Sequence, residues 1–183
     1  MNFSRLACLA VALHLLALGA WGTVRPIARN ERAAEETWRR ALRHHAKGDH
    51  RGAYLLFRNV GEEYPLSRYG ERGRYRAART ALYDLGRFDL AREEFQNLLD
   101  RGIEDVDIRS TVERELRLLD AAQESPESSR WEFFQARSEE ERGLLARARL
   151  RYEWILRNHE GSSLAKEAEQ RLKEMETLRG GGE

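Results

Sequence analysis

One spaced pattern occurs three times in this 183-residue chain and constrains its fold more than any other feature. In each copy an alanine follows a glycine by five residues, an aromatic residue follows that alanine by four, and an aliphatic residue lies three further on. The copies are Gly48-Ala53-Phe57-Val60, Gly86-Ala91-Phe95-Leu98 and Gly143-Ala148-Tyr152-Ile155. Because the last three positions share one face of an α-helix, each copy predicts a helix that begins after a glycine and packs through that face.

The residue types explain how such helices pair. Glycine adopts the left-handed backbone that ends one helix and lets the chain reverse. The alanine carries only a methyl group, so two helices can cross closely there, and the aromatic side chain one turn later fills the space between neighbouring hairpins. We therefore predict three helical hairpins with the packing residues Gly48, Ala53, Phe57, Pro65, Gly86, Ala91, Phe95, Gly143, Ala148 and Tyr152.

The composition agrees with an all-helical chain. Ala, Leu, Glu and Arg supply 100 of the 183 residues, whereas Val, Ile and Thr together supply only 14. Strong helix formers therefore dominate, and a β-rich fold is excluded. The single cysteine, Cys8, excludes an internal disulfide and a cysteine metal cage.

The periodicity and the turn residues together predict eight helices. Their ranges are 29–47, 51–63, 68–85, 89–99, 107–123, 131–142, 144–158 and 163–178, and Ser128 or Ser129 is expected to cap the sixth. The helix at 107–123 is an addition between the second and third hairpins, either a lone helix or a degenerate half-repeat. The last helix has the polar character of a closing cap. Residues 25–178 are thus predicted to form one helical repeat domain, and residues 179–183 a flexible tail.

The repeated pattern resembles the second helix of the tetratricopeptide repeat, in which small, aromatic and apolar residues have this spacing and a proline closes the unit. The first helices carry corresponding pairs, Trp38 and Ala41, Tyr75 and Ala78, and Phe133 and Ala136. Residues 48–67 and 86–99 are similar to a bacterial envelope subgroup that includes TolA-associated periplasmic proteins and β-barrel assembly lipoproteins. The resemblance covers about residues 33–178 and implies an α–α superhelix that binds other proteins.

The N-terminus carries an apolar segment. Residues 6–24 are uncharged and, apart from His14, largely apolar, and the residues assigned to this membrane segment include Leu6, Leu13, Leu16 and Trp21. The segment fits the apolar core of a cleaved signal peptide, and its 19 residues also approach the length of a spanning helix. Both interpretations stay open. We expect an extracytoplasmic, periplasmic location, with an inner-membrane tether if the segment is retained and a secreted soluble form if it is cleaved.

The charge is balanced overall but unevenly distributed. The formal net charge is +1, which gives no reason to expect a nucleic-acid partner. Residues 25–92 have a surplus of seven positive charges, and residues 93–183 a surplus of seven negative ones. Within the basic half, one helical stripe contains Arg68, Arg72, Arg76 and Arg79. These arginines either bind carboxylates of a partner, for which RNA or lipid phosphate would also fit on charge alone, or pair with neighbouring Glu62, Glu63 and Glu71.

No arrangement typical of catalysis or metal binding is recognisable in the sequence. His44 and His45 are adjacent, so on a helix their side chains point about 100° apart and share a metal poorly. Acidic runs such as Glu139-Glu140-Glu141 are expected on exposed helical faces in solvated ion pairs. We therefore predict no catalytic residue, no metal site and no cofactor.

These features predict a non-enzymatic protein–protein interaction scaffold of the bacterial cell envelope that binds its partner on a concave face built from the first helices. The candidate partner-binding residues are Trp38, Leu42, His45, Arg72, Arg76, Tyr83, Phe133 and Arg137. The alternative is a fixed accessory or structural subunit of a membrane protein complex, anchored by its N-terminal helix. Either way the expected partners are envelope or membrane-complex proteins, with the membrane itself a further partner if the apolar segment is uncleaved.

Overall fold

The computed structural model describes residues 30–180, with side chains as far as residue 177, and this part of the chain is helical without strands. The predicted all-α class is therefore confirmed. The helices are α1 (30–46), α2 (His50–Glu63), α3 (Gly70–Arg79) with a π-helical turn (Thr80–Asp84), α4 (Phe88–Asp100), α5 (Val106–Ala121), α6 (Glu127–Glu141), α7 (Leu145–Asn158) and α8 (Ser163–Gly180).

The predicted N-terminal apolar segment, with Leu6, Leu13, Leu16 and Trp21, lies outside the described residues, as do the last three residues of the predicted tail. Of the helices that are described, none combines the length and the apolar character needed to cross a bilayer. The described helices fall into two compact units, one ending at Arg74 and the other beginning at Tyr75, where the sequence predicts one continuous domain.

Left-handed glycines stand at the reversals that the pattern predicts. Gly48, Gly86 and Gly143 have φ values of 78°, 62° and 74°, which confirms this part of the prediction. Gly102 after α4 and Gly161 after α7 have φ values of 82° and 83°. Within the described chain every residue with positive φ is a glycine, so glycine positions mark five of the helix ends.

The small and aromatic positions of the pattern are buried as predicted. All nine alanine, aromatic and aliphatic positions of the three copies have at most 1% of their surface exposed; they are Ala53, Phe57, Val60, Ala91, Phe95, Leu98, Ala148, Tyr152 and Ile155. In the first helices the predicted small residues Ala41, Ala78 and Ala136 are also fully buried. The same register therefore packs all three hairpins.

In the first unit the helices approach closely enough for backbone contact. The Trp38 ring of α1 lies edge-on to Phe57 of α2, with 5.1 Å between ring centroids. A Cβ atom placed on Gly73 of α3 would lie 2.8 Å from the Phe57 carbonyl oxygen and 3.0 Å from the amide nitrogen of Gly61. Only glycine permits that close approach of two backbones. In the sequence, such a contact is indicated by glycines that lie inside a helical pattern.

In the second unit α4 packs against α5, and α6 packs against both α7 and α8. A chain of aromatic rings fills the space around α6. Phe88 lies 5.6 Å from Phe134, Phe134 lies 5.5 Å from Phe133, and Phe133 lies 5.8 Å from Tyr152 of α7. The added helix α5 follows α4 and packs against it.

The start of α6 differs from the prediction. The helix begins at Glu127, four residues before the expected start at Trp131. Neither Ser128 nor Ser129 caps it, because both lie within its first turn. The buried Ser129 hydroxyl instead donates a 2.8 Å hydrogen bond to the Pro126 carbonyl oxygen.

Substitution at the methyl-sized contacts tests this packing. Ala148→Leu in α7 is expected to lower the free energy of unfolding by about 1–3 kcal/mol, because the added atoms have no space in the buried contact. Ala146→Leu, on the exposed face of the same helix, is the matched control and should change it by less than about 0.5 kcal/mol. Urea unfolding measures both, and equal effects of the two substitutions would contradict the predicted contact.

Candidate interaction surface

The first unit presents an aromatic surface formed by α1 and the residues just before α3. Trp38 of α1 lies 5.7 Å from the Tyr69 ring, and the Arg68 guanidinium lies 4.7 Å from the centre of that ring. Leu42, one turn after Trp38, is 40% exposed. Trp38, Leu42 and Tyr69 therefore combine aromatic and apolar surface that is accessible to a partner.

Arg68 and Glu62, which the sequence suggested as members of local arginine–glutamate pairs, have other partners. The Arg68 side chain lies 4.0 Å from Glu31 and 3.9 Å from Glu35, both on α1. Its backbone N–H also donates to Glu31 at 3.0 Å. Glu62, named as a possible partner, pairs instead with Arg58 at 2.8 Å. Arg68 thus ties the start of α3 to α1.

The remaining arginines of the stripe differ in what they contact. Arg79 donates to the Glu141 carboxylate of α6, and its guanidinium lies 4.9 Å from the centre of the Tyr83 ring. Arg72 and Arg76 are exposed, and neither side chain has an ion-pair or hydrogen-bond partner in the part of the chain that the structure describes. These two guanidinium groups are free to bind a carboxylate from outside.

Three histidines, His44, His45 and His50, lie around the turn between α1 and α2. His44 Nδ1 lies 2.6 Å from the Asp49 carboxylate, which also accepts the Gly52 N–H at 2.9 Å and so caps α2. The partly exposed His45 ring lies 5.1 Å from the His50 ring. Of the predicted binding residues, His45 therefore belongs to the turn rather than to the aromatic surface around Tyr69.

A buried polar network holds three elements of the second unit together. Glu115 of α5 is fully buried, and the Tyr83 hydroxyl donates to it at 2.9 Å. Arg137 of α6 donates two hydrogen bonds to the same carboxylate, at 3.3 Å and 3.2 Å. Burial raises the pKa of Tyr83 well above its usual value, and the Glu115 charge raises it further, so the hydroxyl stays protonated as a donor. This network could not be predicted from the sequence, because a lone glutamate on a helix is expected to be exposed.

Three of the predicted partner-binding residues are buried. Tyr83 and Arg137 are 5% and 8% exposed and belong to the polar network, and Phe133 is fully buried among aromatic rings. Their side chains therefore have no surface to offer a partner in this structure, which corrects the prediction. The prediction chose the wrong side of α6 as the exposed one, because apolar residues occur on more than one side of this helix.

On α6, Trp131 is exposed and Gln135, one turn later, is partly exposed. Trp131 is 37% exposed, and its ring covers Gly86, where an added Cβ would lie 2.8 Å from the ring. Gln135 Nε2 donates to the Tyr83 carbonyl oxygen in the π-helical turn at 2.6 Å. Arg76 of α3, which has no ion-pair partner in the described chain, is a further exposed first-helix residue of the second unit.

The acidic run at the end of α6 joins helices instead of lying in solvent. Each of its three carboxylates reaches a different helix, and the side chains of Glu139 and Glu140 are only 12% and 18% exposed. The pairs are Glu139 with Arg151 of α7, Glu140 with Arg171 of α8, and Glu141 with Arg79 of α3. Ion pairs were expected here and are present. The expected exposure is found for Glu141 but is wrong for Glu139 and Glu140, because α7 and α8 pack against α6.

Comparison of the chain with protein-family models, with curated proteins and with solved structures gives no significant match. The resemblance to the tetratricopeptide repeat therefore depends on the spacing of the residues quoted above. The described structure adds the conformation and burial of those residues, and it divides the predicted binding residues into accessible and buried ones.

The buried pair gives a prediction about stability. Arg137→Met leaves the Glu115 carboxylate without its counter-ion and is expected to lower the free energy of unfolding by about 3–5 kcal/mol. The double variant Glu115→Leu/Arg137→Met removes both charges and should regain most of that loss. Urea unfolding of the two variants measures the difference.

A surface pair is the matched control. Arg149→Met breaks the Arg149–Glu153 pair, whose side chains are 44% and 32% exposed, and should leave the free energy of unfolding nearly unchanged, because solvent screens an exposed pair. A single Arg137 variant no less stable than this control would show that the buried pair does not hold α5 and α6 together.

Proposed function

We propose that this chain is a non-enzymatic, tetratricopeptide-type scaffold of the bacterial cell envelope that binds other proteins. The observation that carries the proposal is the repeated register itself. In all three hairpins its glycine is left-handed and its alanine and aromatic residues are buried, so the repeated residues serve packing between helices. Such arrays use the side chains left exposed on their helices to bind peptides or helices of a partner.

The proposed binding residues of the first unit are Trp38, Leu42 and Arg72. Trp38 and Leu42 are partly exposed on α1, and Arg72 is exposed without an ion-pair partner in the described chain. Aromatic residues and arginine carry a large share of the binding energy in protein interfaces. An apolar segment flanked by carboxylates is the partner chemistry that fits this set.

In the second unit the proposed binding residues are Arg76, Trp131 and Gln135, which take the place of the buried Tyr83, Phe133 and Arg137. Trp131 supplies an exposed aromatic ring, and the free guanidinium of Arg76 can donate two parallel hydrogen bonds to a carboxylate. Each unit thus offers the same combination of an aromatic ring and an unpaired arginine.

The proposed location is extracytoplasmic, with the apolar residues 6–24 as the attachment to the membrane. The length and composition of that segment support this part of the proposal. A scaffold held at a membrane meets envelope proteins as its partners, and the chemistry of the surfaces described above requires no cofactor.

Two exposed leucines of the first unit provide a matched test. Leu42→Glu on α1 is expected to abolish recovery of partners when the tagged full-length chain is purified from membranes, because it places a charge in the proposed surface. Leu55→Glu on α2 should leave recovery unchanged. Both residues are exposed, Leu42 at 40% and Leu55 at 54%, so neither substitution disturbs the core. Quantitative mass spectrometry of the co-purified proteins measures the recovery.

Circular dichroism and thermal unfolding of both variants confirm that the fold is kept. Equal recovery with the two variants would contradict binding through α1. A partner that stays in constant stoichiometry with the chain through detergent and high salt would instead indicate a fixed subunit of a membrane complex.

A further inference from the structure

The outer face of α1 is almost uniformly basic. Measured around the helix, its exposed residues lie opposite the fully buried Ala34 and Ala41. The residues of this face are Arg32, Glu36, Arg39, Arg40, Arg43 and Ala46 of α1, together with Lys47 in the turn that follows the helix. Five of the seven are therefore cationic and one is acidic. This face is distinct from the neighbouring side of α1 that carries Trp38 and Leu42.

Most of these cations are not neutralised. Arg39 pairs with Glu35 at 2.7 Å and is still 65% exposed. Within residues 30–177 no carboxylate pairs with the side chains of Arg40, Arg43 or Lys47. The nearest acid beyond the helix, Asp49, is already bonded to His44 and to the Gly52 N–H. The face is thus a positive surface that extends over the 17 described residues of α1, about 25 Å.

The shape and chemistry of the face favour a lipid surface over a protein. Its only apolar side chain is the methyl group of Ala46, whereas protein interfaces are anchored by large buried side chains. A single helical face without such an anchor suits a fluid layer of phosphate headgroups, which can arrange themselves around each guanidinium.

The sequence places this face next to the proposed membrane attachment. The apolar segment ends at residue 24, and α1 is described from residue 30 onward. Six extended residues span at most about 20 Å, so an inserted segment keeps the start of α1 near the headgroups. Electrostatic attraction decays over about 8 Å in physiological salt. An upright helix would leave most of the cations beyond that range, whereas a helix lying flat keeps all of them within it.

We propose that α1 lies along a membrane surface, with its outer face bound to anionic lipid headgroups. The proposal rests on the membrane attachment in the proposed function. It assigns part of the basic surplus of the first half of the chain to a specific face, and it leaves the side with Trp38 and Leu42 available to a protein partner.

The test uses the full chain with Cys8→Ser and Ala46→Cys, labelled at residue 46 with a fluorophore. The protein is added to vesicles of phosphatidylcholine, or of equal parts phosphatidylcholine and phosphatidylglycerol, each containing a lipid with a nitroxide on its headgroup. We expect the label to be quenched strongly only in the anionic vesicles. Raising the salt to about 1 M, where the Debye length is about 3 Å, should reverse the quenching.

Charge reversal on α1 tests which arginines contact the lipid headgroups. Arg40→Glu/Arg43→Glu is expected to weaken the association of α1 with anionic vesicles on the order of twentyfold or more, since each basic residue near the surface contributes on the order of fivefold. The matched control is Arg114→Glu/Arg117→Glu on α5, whose arginines have the same spacing, are exposed and lack an ion-pair partner in the described chain. This control makes the same change in net charge and should leave the quenching unaltered.

Flotation of the vesicles separates the two proposals. A chain that floats with both kinds of vesicle but shows equal or no quenching at residue 46 overturns the lipid contact and leaves the membrane attachment standing. A chain that floats with neither overturns both. Equal loss of quenching in the α1 and α5 variants would show that net charge, and not this face, causes the contact. A label protected only when a co-purified protein is added would assign the face to that protein and overturn the lipid proposal.

Discussion

Each hairpin depends on a backbone conformation that only glycine adopts without strain. An L side chain in the left-handed region costs about 1–2 kcal/mol, so a glycine there marks where a helix ends and the chain reverses. Gly48, Gly86 and Gly143 fix that point relative to the alanine and aromatic residues that follow. The spacing then places Ala53, Ala91 and Ala148 in the close helix contacts. The rest of the packing follows from this register.

The features that the sequence predicted correctly are local, and those it missed depend on distant residues. Most helix ranges, though not the start of α6, and the buried face of each second helix follow from spacing within about a dozen residues. The burial of Glu115 depends on Arg137 and Tyr83, which lie 22 and 32 residues away, so no local pattern shows it. The predicted exposed side of α6 was wrong because Trp131 and Phe133 are both large aromatic residues typical of a core. Only the neighbouring helices decide which of the two is buried.

The many arginines of this chain are used in two different ways. In the second unit Arg79, Arg151 and Arg171 pair with consecutive glutamates of α6 and connect it to three other helices. On the outer face of α1, by contrast, arginines such as Arg40 and Arg43 have no carboxylate within reach in the described residues. The first group accounts for cohesion of the fold, and the second leaves charge available for the proposed contacts outside the protein.

The most direct test of the account is the sign of the stability change when the hairpin glycines are replaced. A Cβ atom on Gly48 or Gly143 would have no neighbour within 4 Å, so a substitution there reports backbone conformation alone. Because both glycines have positive φ, Gly48→Ala and Gly143→Ala should each lower the free energy of unfolding by about 1–2 kcal/mol, and asparagine should cost less. A gain of about 0.4–1 kcal/mol, as for a glycine in an ordinary helical or extended conformation, would contradict the left-handed reversals.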